Sequence, residues 1–264
     1  MRVVGVRRAL RFSPHNEAND LAILQAVVDA FGGVVVEEEA DGLAKALAEA
    51  SLVFTMGRTQ QALCSLAAAE REGVLVLNPA KGVRNCNRKT LDLLARRNNI
   101  SVPPVDGEHG YWLKRADVSA QNHSDIVFCA NQGELEKARE EFVRQGITDY
   151  LVQAHLQGDL VKFYGVSGTG FFRVFYPGDD GLSKFGDEAI NGRPHHYDYD
   201  MGALQQMAEQ MAVVAECPVY GGDAVISPTG SFAIIDFNDW PSFSRCRDEA
   251  ARAICQLAEK IMAR

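Results

Sequence analysis

With 264 residues, 47% of them hydrophobic, the chain can bury a sizeable core in one large or two small domains. Its formal net charge of −8 and pI near 5.3, without a basic stripe, argue against a nucleic-acid-binding protein, and no apolar run approaches the length of a membrane span. The six cysteines share no CxxC or other metal-binding spacing, so we expect reduced thiols in a cytoplasmic protein and no zinc site.

The first 80 residues alternate predicted strands with predicted helices. Such an alternation of short apolar strands and helices predicts a parallel sheet covered on both faces, as in a Rossmann-like α/β domain. Ligands bind the loops that follow such strands, where His15 and Arg58 lie, but the first turn lacks the GxGxxG fingerprint of a dinucleotide site. The predicted strands cover residues 3–6, 34–37, 52–55 and 74–77, and the predicted helices cover residues 18–31, 43–50 and 59–72.

Three lysines stand out in the region that follows. Lys89 lies in the first turn of a predicted helix. In the strand YWLK, Lys114 follows three large apolar residues, so we expect a buried stem and an anionic partner for its ammonium. Lys162 has Val161 and Phe163 as neighbours, which point to the opposite face of their strand and predict a half-buried cation in a cleft. The predicted strands here cover residues 111–114, 126–129, 150–155, 160–166 and 170–177, and the helices cover residues 87–99, 133–145, 201–216 and 245–264.

Residues 178–200 form a polar, irregular segment. Its length and composition are typical of an active-site loop, which we expect to form one wall of an acceptor site and to be mobile without substrate. Arg193 is its main candidate for holding an anionic acceptor. The alternative is that Arg193 pairs with Asp187, Glu188 or Asp198 and only fastens the loop.

A β-hairpin is predicted over residues 222–242, with turn chemistry at its Ser-Pro-Thr-Gly sequence. If residues 228–231 form the loop, Asp223 lies directly opposite Asp236, and Asn238 shares that face of the hairpin. Oxygen ligands of this kind suit Mg²⁺ or Mn²⁺ completed by phosphate oxygens. The alternative is a pair of acids on the solvated face of the hairpin.

The order of these residues along the chain resembles the ATP-grasp superfamily. Its features here are a lysine in each of three elements, then Asp223, and finally Asp236-Phe237-Asn238 followed by Pro241. The resemblance implies a pre-ATP-grasp α/β domain over residues 1–80 and an ATP-grasp α+β domain over residues 81–264. The second domain would consist of a small subdomain over residues 81–149 and a C-terminal subdomain over residues 150–264 with the metal-binding hairpin.

The resemblance also implies a role for each matching residue, with ATP and Mg²⁺ or Mn²⁺ as cofactors. The metal would be held by Asp223, Asp236 and Asn238. The phosphates would lie near Lys89, Lys114 and Lys162. The adenine and ribose would be bound by the backbone of Leu151, Val152, Gln153 and Ala154, and less directly by the side chains of Gln153, His155 and Asp159.

Three arginines are the catalytic candidates. If a tetrahedral oxyanion forms during acyl transfer, Arg173 or Arg245 would stabilise it, while Arg193 would hold the acceptor.

Three activities stay open. A carboxylate–amine or carboxylate–thiol ligase acting through an acyl phosphate is favoured by its frequency in the superfamily. The loop at residues 116–125 has no glycine and carries His123, which resembles the inositol phosphate kinase branch and favours a kinase for a polyol or inositol phosphate. The third is a nucleotide-binding protein with weak or lost catalysis. In each case we expect a small-molecule acceptor as partner, no nucleic acid and no membrane, and a homodimer stays open.

Overall fold

The computed structural model, which describes residues 1–14, 16–116, 123–179 and 190–263, contains three sheets that follow one another along the chain. The first consists of parallel strands in the order β2-β1-β3-β4. One of its faces packs on α1, and the other packs on α2 and α3. The predicted parallel sheet with helices on both faces is confirmed. Its elements are β1 Val3–Arg7, α1 Glu17–Ala30, β2 Val34–Glu37, α2 Leu43–Ala48, β3 Leu52–Thr55, α3 Gln60–Arg71 and β4 Leu75–Leu77.

The second sheet is antiparallel, in the order β6-β5-β7. Leu113 and Val152 on one of its faces pack against α6. Because side chains alternate along a strand, Trp112 and Lys114 point to the opposite face, away from that helix. The elements of this region are α4 Ala80–Asn85, α5 Arg88–Arg97, β5 Tyr111–Arg115, β6 Ile126–Cys129, α6 Gln132–Arg144 and β7 Tyr150–Ala154. The short helix α4 was not predicted.

The third sheet is also antiparallel, in the order β11-β10-β8-β9, so β11 is an edge strand. Phe163, Tyr220 and Phe237 on one face pack in a core shared with α7. Tyr164 and Phe171 on the other face belong to a core shared with α1 and α8. The elements are β8 Asp159–Val166, β9 Phe171–Phe175, α7 Met201–Ala215, β10 Val219–Ile226, β11 Phe232–Asp239 and α8 Arg247–Met262. Among the residues that the structure describes, no helix is both long and apolar enough to span a membrane.

The β10–β11 hairpin has the predicted pairing of Asp223 with Asp236, but it reaches that pairing by a different route. The loop is one residue longer than predicted, because Ile226 pairs with Phe232 and the Ser227 N–H donates to the Ser231 carbonyl at 2.8 Å. A β-bulge then shifts the register by one residue between Asp223 and Ala224. The two differences cancel, so both acids lie on one face.

Candidate nucleotide and metal site

A cleft lies between the second sheet, α5 and the edge strand β11. Its walls combine apolar side chains with charged groups, as is typical of small-molecule sites. The lining residues are Arg88, Leu91, Asp92, Val102, Lys114, Leu151, Gln153, Met211, Ile234, Ile235, Asp236 and Phe237. Residues from separate parts of the chain, including the four predicted site residues Lys114, Leu151, Gln153 and Asp236, therefore meet in one cavity.

Lys114 bridges the second sheet and β11. It is 8% exposed, and its Nζ donates to Gln153 Oε1 at 2.8 Å and to the Ile235 carbonyl at 3.0 Å. That carbonyl is available because the β-bulge leaves Ile235 without a partner on β10. Burial lowers the pKa of Lys114 from 10.5 to about 8, although the carboxylate of Asp236 acts in the opposite direction. The expected buried stem is present, but both hydrogen-bond acceptors are neutral, and within the described part of the chain no carboxylate accepts a hydrogen bond from the ammonium.

Lys162 lies on the third sheet, directly opposite Asp223 in the β8–β10 ladder. Its Nζ donates to Asp223 Oδ1 at 2.7 Å. Burial alone would lower the pKa of Lys162, but the charge and hydrogen bond of Asp223 outweigh burial and raise the pKa above its ordinary 10.5. Lys162 is therefore a permanent cation next to the two acids.

The three predicted metal ligands lie together on one face of the third sheet. Asp223 lies directly opposite Asp236 in the β10–β11 ladder, and Asn238 Nδ2 donates to Asp236 Oδ2 at 3.1 Å. This oxygen-rich donor set fits Mg²⁺ or Mn²⁺, whose preferred ligands are carboxylate and carbonyl oxygens. Within the described ranges no three His, Cys, Asp or Glu side chains converge on a metal position. A metal here would therefore need further oxygens beyond the two carboxylates and the amide, such as phosphates.

Arg88 takes the place at the cleft that the sequence suggested for Lys89. The Lys89 ammonium pairs with Asp149, and 47% of the side chain is exposed. Arg88 lines the cleft and donates from Nη1 to the Arg115 carbonyl at 2.6 Å. The helical period was the missed signal, because Arg88 shares a stripe with Leu91 and Ala95, the two buried residues of α5.

The whole chain is similar in structure to known enzymes, whereas no family model and no curated protein matches it. The match to a D-alanine–D-alanine ligase from Bacillus anthracis covers 100% of this chain and 96% of the ligase, with a TM-score of 0.65 and 9% sequence identity. The match to a RimK domain ATP-grasp protein from Sphaerobacter thermophilus covers 97% of this chain and 98% of that protein, with a TM-score of 0.63 and 17% sequence identity. The match to an N5-carboxyaminoimidazole ribonucleotide synthetase from Thermotoga maritima covers 96% of this chain and 76% of the synthetase, with a TM-score of 0.64 and 11% sequence identity. The chain has the ATP-grasp fold.

In this ATP-grasp fold, the segment after Gln153 is more occupied by protein contacts than we predicted. The Ala154 N–H donates to the Pro104 carbonyl at 2.7 Å, so it is not free to bind adenine. His155 Nδ1 accepts from Trp112 Nε1 at 3.1 Å, and burial lowers the His155 pKa, so the imidazole is the neutral acceptor. The open face of β7 at the cleft is formed by Leu151 and Gln153.

Asp159 has a structural partner that the sequence did not indicate. It is 2% exposed, and its two oxygens accept the backbone N–H groups of His195 at 2.7 Å and Tyr197 at 2.9 Å. Asn191 adds side-chain donors to the Leu156 and Gly158 carbonyls, each at 3.0 Å. Asp159 was predicted to contact the ribose, but in the structure its carboxylate instead holds residues 190–198 against the β7–β8 turn.

The three predicted catalytic arginines differ in their surroundings. Arg173 pairs with Glu249 of α8 and donates to the Phe172 carbonyl at 2.8 Å. The guanidinium of Arg245 lies 5.4 Å from the ring centroid of Phe175, which is directly opposite Lys162 in the β8–β9 ladder. Arg245 thus brings a second cation to the face that carries the predicted metal ligands.

Arg193 is exposed, in the segment that Asp159 fastens. Several residues of the sequence predictions lie outside the described part of the chain. These are His15, residues 117–122 of the glycine-free loop, the side chain of His123, and residues 180–189 with Asp187 and Glu188.

Proposed function

We propose that the protein is an Mg²⁺-dependent, ATP-using ligase that joins a carboxylate to an amine or thiol through an acyl phosphate. The main support is the convergence of Lys114 and Asp236 in one cleft of an ATP-grasp fold, with Lys162 and Asp223 on the same sheet face as Asp236. Two of the three similar structures described above are named as a ligase and a synthetase, and a further similar ligase structure is described as complexed with ATP.

The nucleotide would lie between the second sheet and β11. Its base would pack on Leu151 and Ile235, and its phosphates would extend toward Lys114, Arg88 and Lys162. Three cations on the cleft and its adjoining sheet face would balance much of the phosphate charge. Asp223, Asp236 and Asn238 would hold the metal, which, when bound, would reduce the charge that develops on the phosphates.

The proposed reaction has two steps. First, a carboxylate oxygen of the acceptor attacks the γ-phosphorus, the bond from that phosphorus to the ADP oxygen breaks, and an acyl phosphate and ADP form. Second, the amine or thiol attacks the acyl carbon, phosphate leaves, and the nucleophile loses its proton. Of the three arginines predicted as catalytic, Arg245 is the best placed to stabilise the oxyanion of the second step, because it lies beside Phe175 and hence next to Lys162.

Hydroxylamine trapping tests this assignment. The protein is incubated with ATP, Mg²⁺, hydroxylamine and a panel of carboxylic acids, and hydroxamate and ADP are measured, with Asp236→Asn as the inactive control. A ligase gives a hydroxamate in proportion to ADP with the correct acid. A stable phosphate ester from a parallel panel of polyol phosphates would instead show a kinase. ATP binding without either product would indicate lost catalysis, and absence of ATP binding would contradict the proposal.

A further inference from the structure

Buried charged groups connect the first sheet to the end of β11. Asp239 directly follows the predicted metal ligand Asn238 and is 3% exposed. Arg58, in the loop after β3, donates from Nη2 to Asp239 Oδ1 at 2.6 Å and from Nε to Oδ2 at 3.3 Å. Its Nη2 also lies 3.3 Å from the Asp239 carbonyl oxygen. A single guanidinium therefore holds both the side chain and the backbone of the last residue of the strand.

A second arginine holds the next residue. Arg8, in the loop after β1, donates from Nη2 to the Trp240 carbonyl and forms an ion pair with Asp20 at 3.5 Å. Glu38, after β2, fixes the loops that carry both arginines, because it accepts the backbone N–H groups of Ala9, Arg58 and Thr59. Arg8, Glu38 and Asp239 are each at least nine-tenths buried, so these contacts exchange little with water.

The position of β11 makes these contacts important. The strand lies at the edge of its sheet, so only β10 supports it through a ladder, and its last pair joins Tyr220 to Asp239. The bulge at Ile235 interrupts that ladder on the other side of Asn238. Asn238 therefore lies in a short stretch of ladder whose far end is held by the loops of the first sheet.

We propose that Arg58 is a positioning residue that fixes Asn238, through Asp239, in the geometry needed for the metal. This inference rests on the proposed function, because it requires a metal at Asp223, Asp236 and Asn238. The first sheet would thus take part in metal binding without supplying a ligand. Residues that orient metal ligands typically change metal affinity by about 10- to 100-fold when replaced.

The test is a Mn²⁺ titration of the full-length protein in the presence of ADP, followed by electron paramagnetic resonance. Arg58→Gln should weaken Mn²⁺ binding about tenfold while metal-free ADP binding changes less than about twofold. Arg58→Lys keeps a cation beside Asp239 but loses the planar fork, so its Mn²⁺ affinity should lie between those of Arg58→Gln and wild type. Arg11→Gln is the matched control, since it removes the exposed Arg11–Glu39 pair next to the same loops and should change neither affinity.

The double variant Arg58→Met, Asp239→Leu distinguishes a positioning role of Arg58 from a purely structural one. It replaces the ion pair by an apolar contact, so neither partner is left as an unpaired buried charge. Recovered thermal stability with persistently weak Mn²⁺ binding supports positioning. Wild-type Mn²⁺ affinity in Arg58→Gln, or recovery of both properties in the double variant, overturns it. If Asp236→Asn abolishes Mn²⁺ binding but Arg58→Gln has no effect, only this inference fails. If wild type does not bind Mn²⁺ with ADP, the proposed metal site fails, and this inference fails with it.

Discussion

Nucleotide binding should depend on pH because of Lys114. Burial lowers its pKa from 10.5 to about 8, which corresponds to roughly 3 kcal/mol against the charged form. Only the protonated ammonium attracts phosphates, so the apparent dissociation constant rises as the protonated fraction falls. We expect nucleotide affinity to be about tenfold weaker at about pH 9 than at about pH 7. Nucleotide binding at about pH 8 should also be accompanied by uptake of a proton by Lys114, because the phosphates raise the pKa of its ammonium.

The sign of the corresponding effect on stability is opposite. The folded-state pKa of Lys114 lies below its unfolded value of 10.5, so the unfolded chain binds more protons between about 8 and 10.5. The nucleotide-free protein should therefore gain stability from this group as the pH rises through that window. Below about pH 8, where Lys114 is charged in the folded protein, burial of the ammonium lowers the free energy of unfolding by its full amount.

Calorimetric titration with ADP at several pH values, in two buffers of different ionisation enthalpy, measures both affinity and proton uptake. Lys114→Arg is the control, because guanidinium stays charged over the whole range and should abolish the pH dependence. Lys162 should not contribute, since its pKa is raised above 10.5. A wild-type affinity that does not change with pH, or an equal pH dependence in Lys114→Arg, would show that the protonation of Lys114 does not control nucleotide binding.

Three further predictions concern single contacts. Arg88→Met should weaken ATP binding about tenfold by calorimetry, whereas Lys89→Met should change it less than about twofold; the reverse order would contradict the cleft assignment. Asp159→Asn should speed amide hydrogen exchange in residues 190–198 and leave ATP affinity unchanged, since it weakens two charge-assisted hydrogen bonds worth about 1.5–3 kcal/mol each. Gly222→Ala should lower the free energy of unfolding by about 2 kcal/mol in denaturant titrations, because its Cβ would lie 2.4 Å from a backbone carbonyl oxygen; an unchanged midpoint would show that the hairpin adapts.

Local patterns in the sequence predicted the strands and helices well. The predictions for β2, β3 and β6 match the observed bounds, because short apolar runs between turn residues indicate strands. The Asp223–Asp236 pair was also predicted, but from a loop that is one residue too short. The bulged residue that restores the register, Ile235, also provides one of the two acceptors of the Lys114 ammonium, a tertiary contact that no local pattern encodes.

Contacts between distant segments account for the other differences. Arg58 and Asp239 are 181 positions apart, so a loop arginine that resembled a substrate ligand is instead an internal partner of the hairpin. Asp159 similarly binds backbone groups 36 and 38 residues away. Arg88 could have been found from the sequence, because the apolar stripe of its helix points to the same side.

The most direct test of the proposed site is a crystal structure with Mn²⁺ and a non-hydrolysable ATP analogue. We expect an anomalous manganese peak within coordination distance of Asp223, Asp236, Asn238 and the analogue's phosphates, with the base between Leu151 and Ile235. A nucleotide bound elsewhere, or bound in the cleft with no manganese beside the β10–β11 acids, would contradict it.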